Sequence, residues 1–182
     1  MNICFTGHRP NKLGGYNYTN IKNKKIRRKL YETLIELIEN YEGIQVHFIS
    51  GGALGVDQFA FDVCEFIINK TNYNKFYINE IAVPFKDQPN AWFKQEDKDR
   101  YFEQLEQADK VTYVDTLEGY KRTNVPEGKY NAYKLQIRNE YMVDNADIVI
   151  AVWDGSKSGT YNCVKYAEKL GRRIIQINPN DV

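Results

Sequence analysis

The chain is poor in the residues that staple, ligate or anchor. Its three cysteines, Cys4, Cys64 and Cys163, lie far apart, each among apolar neighbours. Disulfide frameworks and zinc sites need closer, paired spacing, so these read as reduced, small hydrophobes. There are two histidines, His8 and His47, and no Ser–His–Asp or Cys–His set assembles around either. No apolar run approaches the ~20 residues of a membrane helix, and the N-terminus lacks a signal-peptide pattern, so a cytoplasmic protein is expected. Charge of one sign is also missing: 25 Lys and Arg stand against 24 Asp and Glu, a net +1. That balance gives no support to a general nucleic-acid or membrane-surface binder.

What is present is ordinary for a globular protein. The 182 residues are 42% hydrophobic and 27% charged, enough for one domain over 1–182 with a substantial core. Abundant Tyr, Asn, Lys and Ile point to an AT-rich genome, such as that of a low-GC bacterium or its phage. No repeat, low-complexity tract or linker interrupts the chain.

Short apolar runs alternate with helical periodicity. "NICFT", "QVHFIS", "YINEIAVPF", "KVTYVD", "DIVIAVW" and "RRIIQI" read as six strands. Between the first two, Ile26, Leu30, Leu34, Leu37, Ile38 and Tyr41 fall at helical spacing from about Asn20 to Asn40. Further helices are expected through Phe59–Ile67, through Trp92, Phe93, Tyr101, Phe102 and Leu105, over "YNAYKLQIRNEYMVDNA", and over residues 160–170. Thr116–Lys129 is the longest irregular stretch. Strand–helix alternation predicts an α/β fold of three layers, Rossmann-like, with a mainly parallel sheet. In such folds ligands sit beyond the carboxyl ends of the strands.

Polar and glycine residues collect after three strands. In "TGHRP", Gly7 allows close backbone approach, Arg9 offers a fork of donors suited to phosphate, and His8 stands beside it. In "SGGALGVDQFA", Ser50, Gly51 and Gly52 precede a helix N-terminus, where an anion is favoured, and Asp57 opens the helix. This loop matches neither a Walker lysine pattern nor a dinucleotide fingerprint. In "WDGSKSGTYN", Gly155, Ser156, Ser158, Gly159 and Thr160 offer amides and hydroxyls to a phosphate, although Ser158 or Thr160 also suits a plain helix cap. Asp154, directly after the fifth strand, is placed to take a ribose hydroxyl, with Trp153 adjacent. The basic run Lys22–Lys29 shares its helix with a full apolar stripe and reads as a solvated face. No metal or cofactor is called for.

These blocks, with "PFKDQPNAWF" and "RNEYMVDNADIVIAVWDGSKSGTYNCVKYA", resemble the SLOG superfamily of Rossmann-like proteins, and within it the YpsA-like family. The superfamily includes the DNA-processing protein DprA and the LOG-type phosphoribohydrolases, and other members are proposed to bind NAD- or ADP-ribose-like signals. The resemblance implies a homo-oligomer. The LOG arginine–methionine pair is matched by Arg138 and Met142, and the LOG Gly-Thr-x-x-Glu by Gly159 and Thr160, with Cys163 standing where the glutamate would be. A neutral thiol cannot stabilise a developing ribosyl cation as a carboxylate does. Asp57, Glu80, Glu140 and Asp154 are the acids weighed as substitutes, and Arg138 and Asp154 stand as catalytic candidates. The expected function is therefore binding of a phosphorylated ribonucleotide, derived from ADP-ribose, NAD or a cyclic nucleotide. In a phage it would be the sequestration of an immune signal. A nucleotide N-glycosidase is the alternative, and single-stranded DNA binding ranks last.

Overall fold

The computed structural model describes residues 1–39, 44–70 and 77–182. Six parallel strands, β1 (Asn2–Gly7), β2 (Val46–Ser50), β3 (Tyr77–Val83), β4 (Lys110–Tyr113), β5 (Ile148–Val152) and β6 (Arg173–Ile177), form one sheet in the order β4-β3-β2-β1-β5-β6. Five helices connect them among the described residues: α1 (Ile21–Glu39), α2 (Val56–Lys70), α3 (Gln95–Gln107), α4 (Ala132–Asp144) and α5 (Gly159–Lys169). Asn40 and Tyr41, expected at the end of the first helix, lie outside the described residues. Trp92 and Phe93 precede α3 instead of riding on it. Pro89 opens a short 3-10 turn over Gln88–Ala91, and the helix begins only at Gln95.

The sheet grows from β1 in both directions, and this explains the layers. Parallel crossovers are right-handed, so connections running one way place helices on one face and those running back use the other. Ile26, Leu30, Leu34 and Leu37 of α1 and Phe59, Val63 and Ile67 of α2 pack on Ile3, Phe5, Phe48 and Ile150. Phe61 of α2 meets Ile81 and Val83, with Leu105 of α3 against them. On the opposite face, Ile137, Tyr141 and Met142 of α4 and Cys163 and Ala167 of α5 cover Cys4, Ile49, Ala82 and Val149. β1 and β5 are buried on both sides, hence their nearly unbroken apolar runs.

A buried polar network fixes α4 to this frame. Glu80 of β3 is wholly buried, with His47 Nε2 2.7 Å away, Lys110 Nζ 3.0 Å away and the Tyr141 hydroxyl donating at 2.8 Å. Burial works to raise its pKa, but hydrogen bonds from His47, Thr112, Lys110 and Tyr141 outweigh it and hold the carboxyl at about 2. The irregular segment before α4 is tied down similarly. Lys134 Nζ donates to Asp115 Oδ2 at 2.8 Å and to the carbonyls of Pro126 and Lys129 at 2.8 and 3.1 Å.

Because the Glu80 carboxyl titrates lower in the folded chain than its unfolded value of 4.5, its contribution is complete above that pH. It is lost as pH falls toward 2, a change worth about 3 kcal/mol at most. Chemical denaturation across pH 6 to 2 is expected to show a shallower acid loss in Glu80→Gln than in the native chain. Parallel slopes would refute the assignment.

A cationic cleft where the sheet reverses direction

Sheet order alone places a crevice beyond β1 and β5. Chain leaving β1 travels to one side through β2, while β5 lies on its other side, so the two exit loops diverge. A cleft of about 370 Å³ opens there, lined by Thr6, Gly7, His8, Arg9, Asn11, Lys12, Ala53, Asp57, Leu135, Arg138, Asn139, Ser158, Gly159 and Thr160.

Arg138, on α4, is 4% exposed and forms the rear wall. Its Nη1 donates to the Gly51 carbonyl and, at 3.2 Å, to Asp57 Oδ2, while Nε donates to Asn139 Oδ1 at 3.1 Å. A Cβ on Gly51 would overlap the guanidinium, so glycine here makes room for a charge. Asp57 also accepts from the Ala53 amide at 3.3 Å, so the chain's own carboxylate fills the anion position at the start of α2.

Arg9 sits at the mouth, exposed and without an ion-pair partner among the described residues. Desolvation by the flanking protein lowers its pKa from the ordinary arginine value, with Asp57 opposing and Arg138 adding, and the group remains a cation. Lys12 completes the near wall, its Nζ donating to Ser156 Oγ at 2.6 Å. Ser158 caps α5 by accepting from the Tyr161 amide at 3.3 Å, which leaves the amides of Gly159 and Thr160 at a helix N-terminus on the cleft. The lining thus carries three cations, Arg9, Lys12 and Arg138, against one carboxylate already engaged by Arg138.

His8 is 2% exposed and held by its own backbone. Its amide donates to the Val152 carbonyl at 3.1 Å, and its carbonyl accepts from the Val56 amide at 3.3 Å. Its Nε2 lies 2.7 Å from Asp154 Oδ1. Asp154 further accepts from the Ser156 amide at 2.9 Å and hydroxyl at 2.5 Å. These Ser156 bonds first, then that of His8, hold the Asp154 carboxyl well below the usual carboxylate range.

Of the expected site residues, Gly7, His8, Arg9, Asp57, Arg138, Ser158, Gly159 and Thr160 come together on the cleft. Ser50, Gly51 and Gly52 do not line it. They are buried beneath it, because the Arg138–Asp57 pair occupies the space above that turn. Trp153, Asp154, Gly155 and Ser156 do not line it, and Asp154 and Gly155 lie exposed on the loop after β5. Trp153 packs on Tyr161 at 6.0 Å, and its Nε1 donates to the Ser156 carbonyl at 2.7 Å, so it offers no face for stacking. Glu80 is buried in the sheet, and Glu140 pairs with Arg122 at 2.6 Å. Cys163 is fully buried, and desolvation pushes its thiol up to about 12. Thr6, Asn11, Lys12, Ala53, Leu135 and Asn139 were missed. Asn11 and Lys12 follow TGHRP directly, and Leu135, Arg138 and Asn139 share one helix face at i, i+3, i+4 spacing.

The near wall is anchored from behind. Asn23 of α1 accepts from the Gly14 amide at 2.9 Å and donates to the carbonyls of Gly15 and Asn17 at 3.0 and 2.8 Å. The Tyr18 ring lies between the guanidinium carbons of Arg27 and Arg100, at 4.0 and 4.2 Å, and its hydroxyl donates to Asp62. Lys24, Lys25, Arg28 and Lys29 are exposed on α1 while Ile26 and Leu30 are buried, with Arg28 paired to Glu32.

A family model named YpsA, described as the YspA SLOG family, matches residues 3–182. The chain belongs to this family. The SPbeta prophage-derived protein YoqJ of Bacillus subtilis (strain 168) is 39% identical over 158 residues, covering 86% of this chain and 89% of the relative. A UPF0398 protein of Halalkalibacterium halodurans is 26% identical over 181 residues, covering 99% and 85%. Among solved structures, DNA processing protein A from Streptococcus pneumoniae superposes with a TM-score of 0.58 at 12% identity, over 97% of this chain and 50% of that one. The Helicobacter pylori protein, described with a single-stranded DNA binding mode, gives 0.58 at 16% identity, over 98% and 65%. The chain therefore spans half to two-thirds of those proteins, and the likeness is one of fold. It lends no weight to the ranking of nucleic acid as the last choice. Among the described residues no helix is long and apolar enough to cross a membrane, and no group of three or more His, Cys, Asp or Glu is placed to hold a metal ion.

Replacing Gly51 by alanine is expected to displace the Arg138 guanidinium while leaving the sheet intact. Circular dichroism should stay native, while the melting temperature should fall toward that of Arg138→Ala. An unchanged melting temperature in Gly51→Ala would show that Arg138 does not depend on that space.

Proposed function

We propose that the cleft binds a phosphorylated ribonucleotide-type ligand, derived from ADP-ribose, NAD or a cyclic nucleotide. The observation carrying this reading is the charge of the lining: three cations, of which Arg9 has no ion-pair partner among the described residues, beside the amides that open α5. A helix N-terminus and a guanidinium fork both favour phosphate oxygens over neutral polar groups. The volume of about 370 Å³ suits one nucleotide half of such a ligand, and no aromatic among the described residues lines it, which favours phosphate and ribose as the recognised parts. The prophage origin of the YoqJ relative is in keeping with a ligand exchanged between phage and host.

Cleavage of an N-glycosidic bond has less support. Its transition state gathers positive charge, which a cationic lining opposes, and Cys163 is a buried, neutral thiol. Single-stranded DNA remains a second reading on one observation, the fold shared with a protein described by its single-stranded DNA binding mode.

Titration calorimetry with AMP, ADP-ribose, adenosine and a short oligothymidylate separates these readings. AMP and ADP-ribose are expected to bind and adenosine not, with Arg9→Ala weakening the phosphorylated ligands on the order of 10- to 100-fold. Equal binding of adenosine would remove the phosphate from the reading. Binding of the oligonucleotide alone would replace it.

A further inference from the structure

Two side chains bonded to Arg138 present opposite hydrogen-bonding characters to the cleft. Asn139 is 9% exposed and Asp57 7%, and both line the cleft. A guanidinium has donors only, so its Nε fixes the Asn139 amide: Oδ1 accepts at 3.1 Å, and Nδ2 is the end left over. Nδ2 has no partner among the described residues, and it is not one of the sealed, unpaired side-chain atoms of the chain. Asp57 is divided in the same way. Its Oδ2 accepts from Arg138 Nη1 at 3.2 Å and from the Ala53 amide at 3.3 Å, while Oδ1 is neither partnered among the described residues nor sealed. The wall therefore offers the cleft one amide donor and one carboxylate acceptor, both held by the same guanidinium.

Phosphate does not satisfy that pair. Its oxygens only accept, and their negative charge is repelled by Asp57 Oδ1. A hydroxyl both donates and accepts, so two adjacent hydroxyls can donate to Asp57 Oδ1 and accept from Asn139 Nδ2 at once. A ligand that covers the wall without them strands both groups away from water, and that is where discrimination arises.

Resting on the cleft being a phosphate site, we propose that Asp57 and Asn139 form a ribose subsite requiring a free vicinal diol, so that the ligand is a 5′-phosphorylated ribose with unesterified 2′ and 3′ hydroxyls. Arg9, Lys12 and the amides that open α5 take the phosphate, and the wall around Arg138 takes the sugar. Of the ligand classes proposed above, those derived from ADP-ribose and NAD meet the requirement. A 3′,5′-cyclic nucleotide does not, because its 3′ oxygen is esterified, and DNA lacks the 2′ hydroxyl throughout. Asp154, expected from the sequence to take a ribose hydroxyl, does not line the cleft.

Titration calorimetry of the full chain with AMP, 2′-deoxy-AMP and 3′,5′-cyclic AMP tests this. AMP should bind about 10-fold or more tightly than either of the others. In Asn139→Ala the ratio of AMP to 2′-deoxy-AMP affinity should fall toward one. It should fall likewise in Asp57→Asn, which keeps an oxygen for Arg138 but turns a donor toward the sugar. The ratio is read within each protein, so a general loss of affinity does not move it. Where Asp57→Asn fails to fold for want of a counter-ion to Arg138, Asn139→Ala decides. Equal binding of AMP and 2′-deoxy-AMP by the native chain, or tighter binding of cyclic AMP than of AMP, overturns this proposal and leaves phosphate binding standing. A native ratio retained in folded Asn139→Ala overturns it as well. If the folded native chain binds none of the three, both this proposal and the binding function fall.

Discussion

A guanidinium enclosed between α4 and the turn after β2 sets the terms for everything around it. Charge withdrawn from water must be met by partners, and Arg138 takes the Gly51 carbonyl, the Asp57 carboxylate and the Asn139 amide oxygen. In doing so it commits Asp57, the one carboxylate lining the cleft among the described residues, and dictates glycine at position 51. Arg9 and Lys12 then line the cleft beside an Asp57 already engaged by Arg138, so the lining is net cationic among the described residues.

The fold was legible because strand and helix periods differ so plainly along this chain. "DIVIAV" reads as doubly buried, and β5 is buried at every position. The α1 stripe of Ile26, Leu30, Leu34 and Leu37 lands on the sheet as its spacing requires. The cleft was legible only in part, and the reason is physical. A sequence shows that Ser50, Gly51 and Gly52 lead into a helix N-terminus, but not what occupies that terminus. Here Asp57, six residues after Gly51, serves as the anion, and the turn is pushed below the surface. Asp154 likewise reads as a ligand group until its contacts are known. Its acceptor oxygen faces a histidine 146 residues away, a pairing that no local pattern encodes.

Trp92 and Trp153 illustrate a second limit. Both are used for packing. Trp92 meets the edge of Tyr101 at 5.2 Å, and Trp153 closes over its own loop. Cys163, which stands where the LOG resemblance would place a glutamate, is buried in the α4–α5 layer, and desolvation pushes its thiol up to about 12.

The β1–α1 connection deserves a mechanical view. It carries Arg9, Asn11 and Lys12 on one side, and on the other it is fastened to α1 by Asn23 and to α2 and α3 through Tyr18. A segment bolted at so many points does not swing as a flap. For the anionic ligand proposed above, entry would then proceed through a standing doorway, with arrival governed by attraction between opposite charges instead of by the opening of a gate.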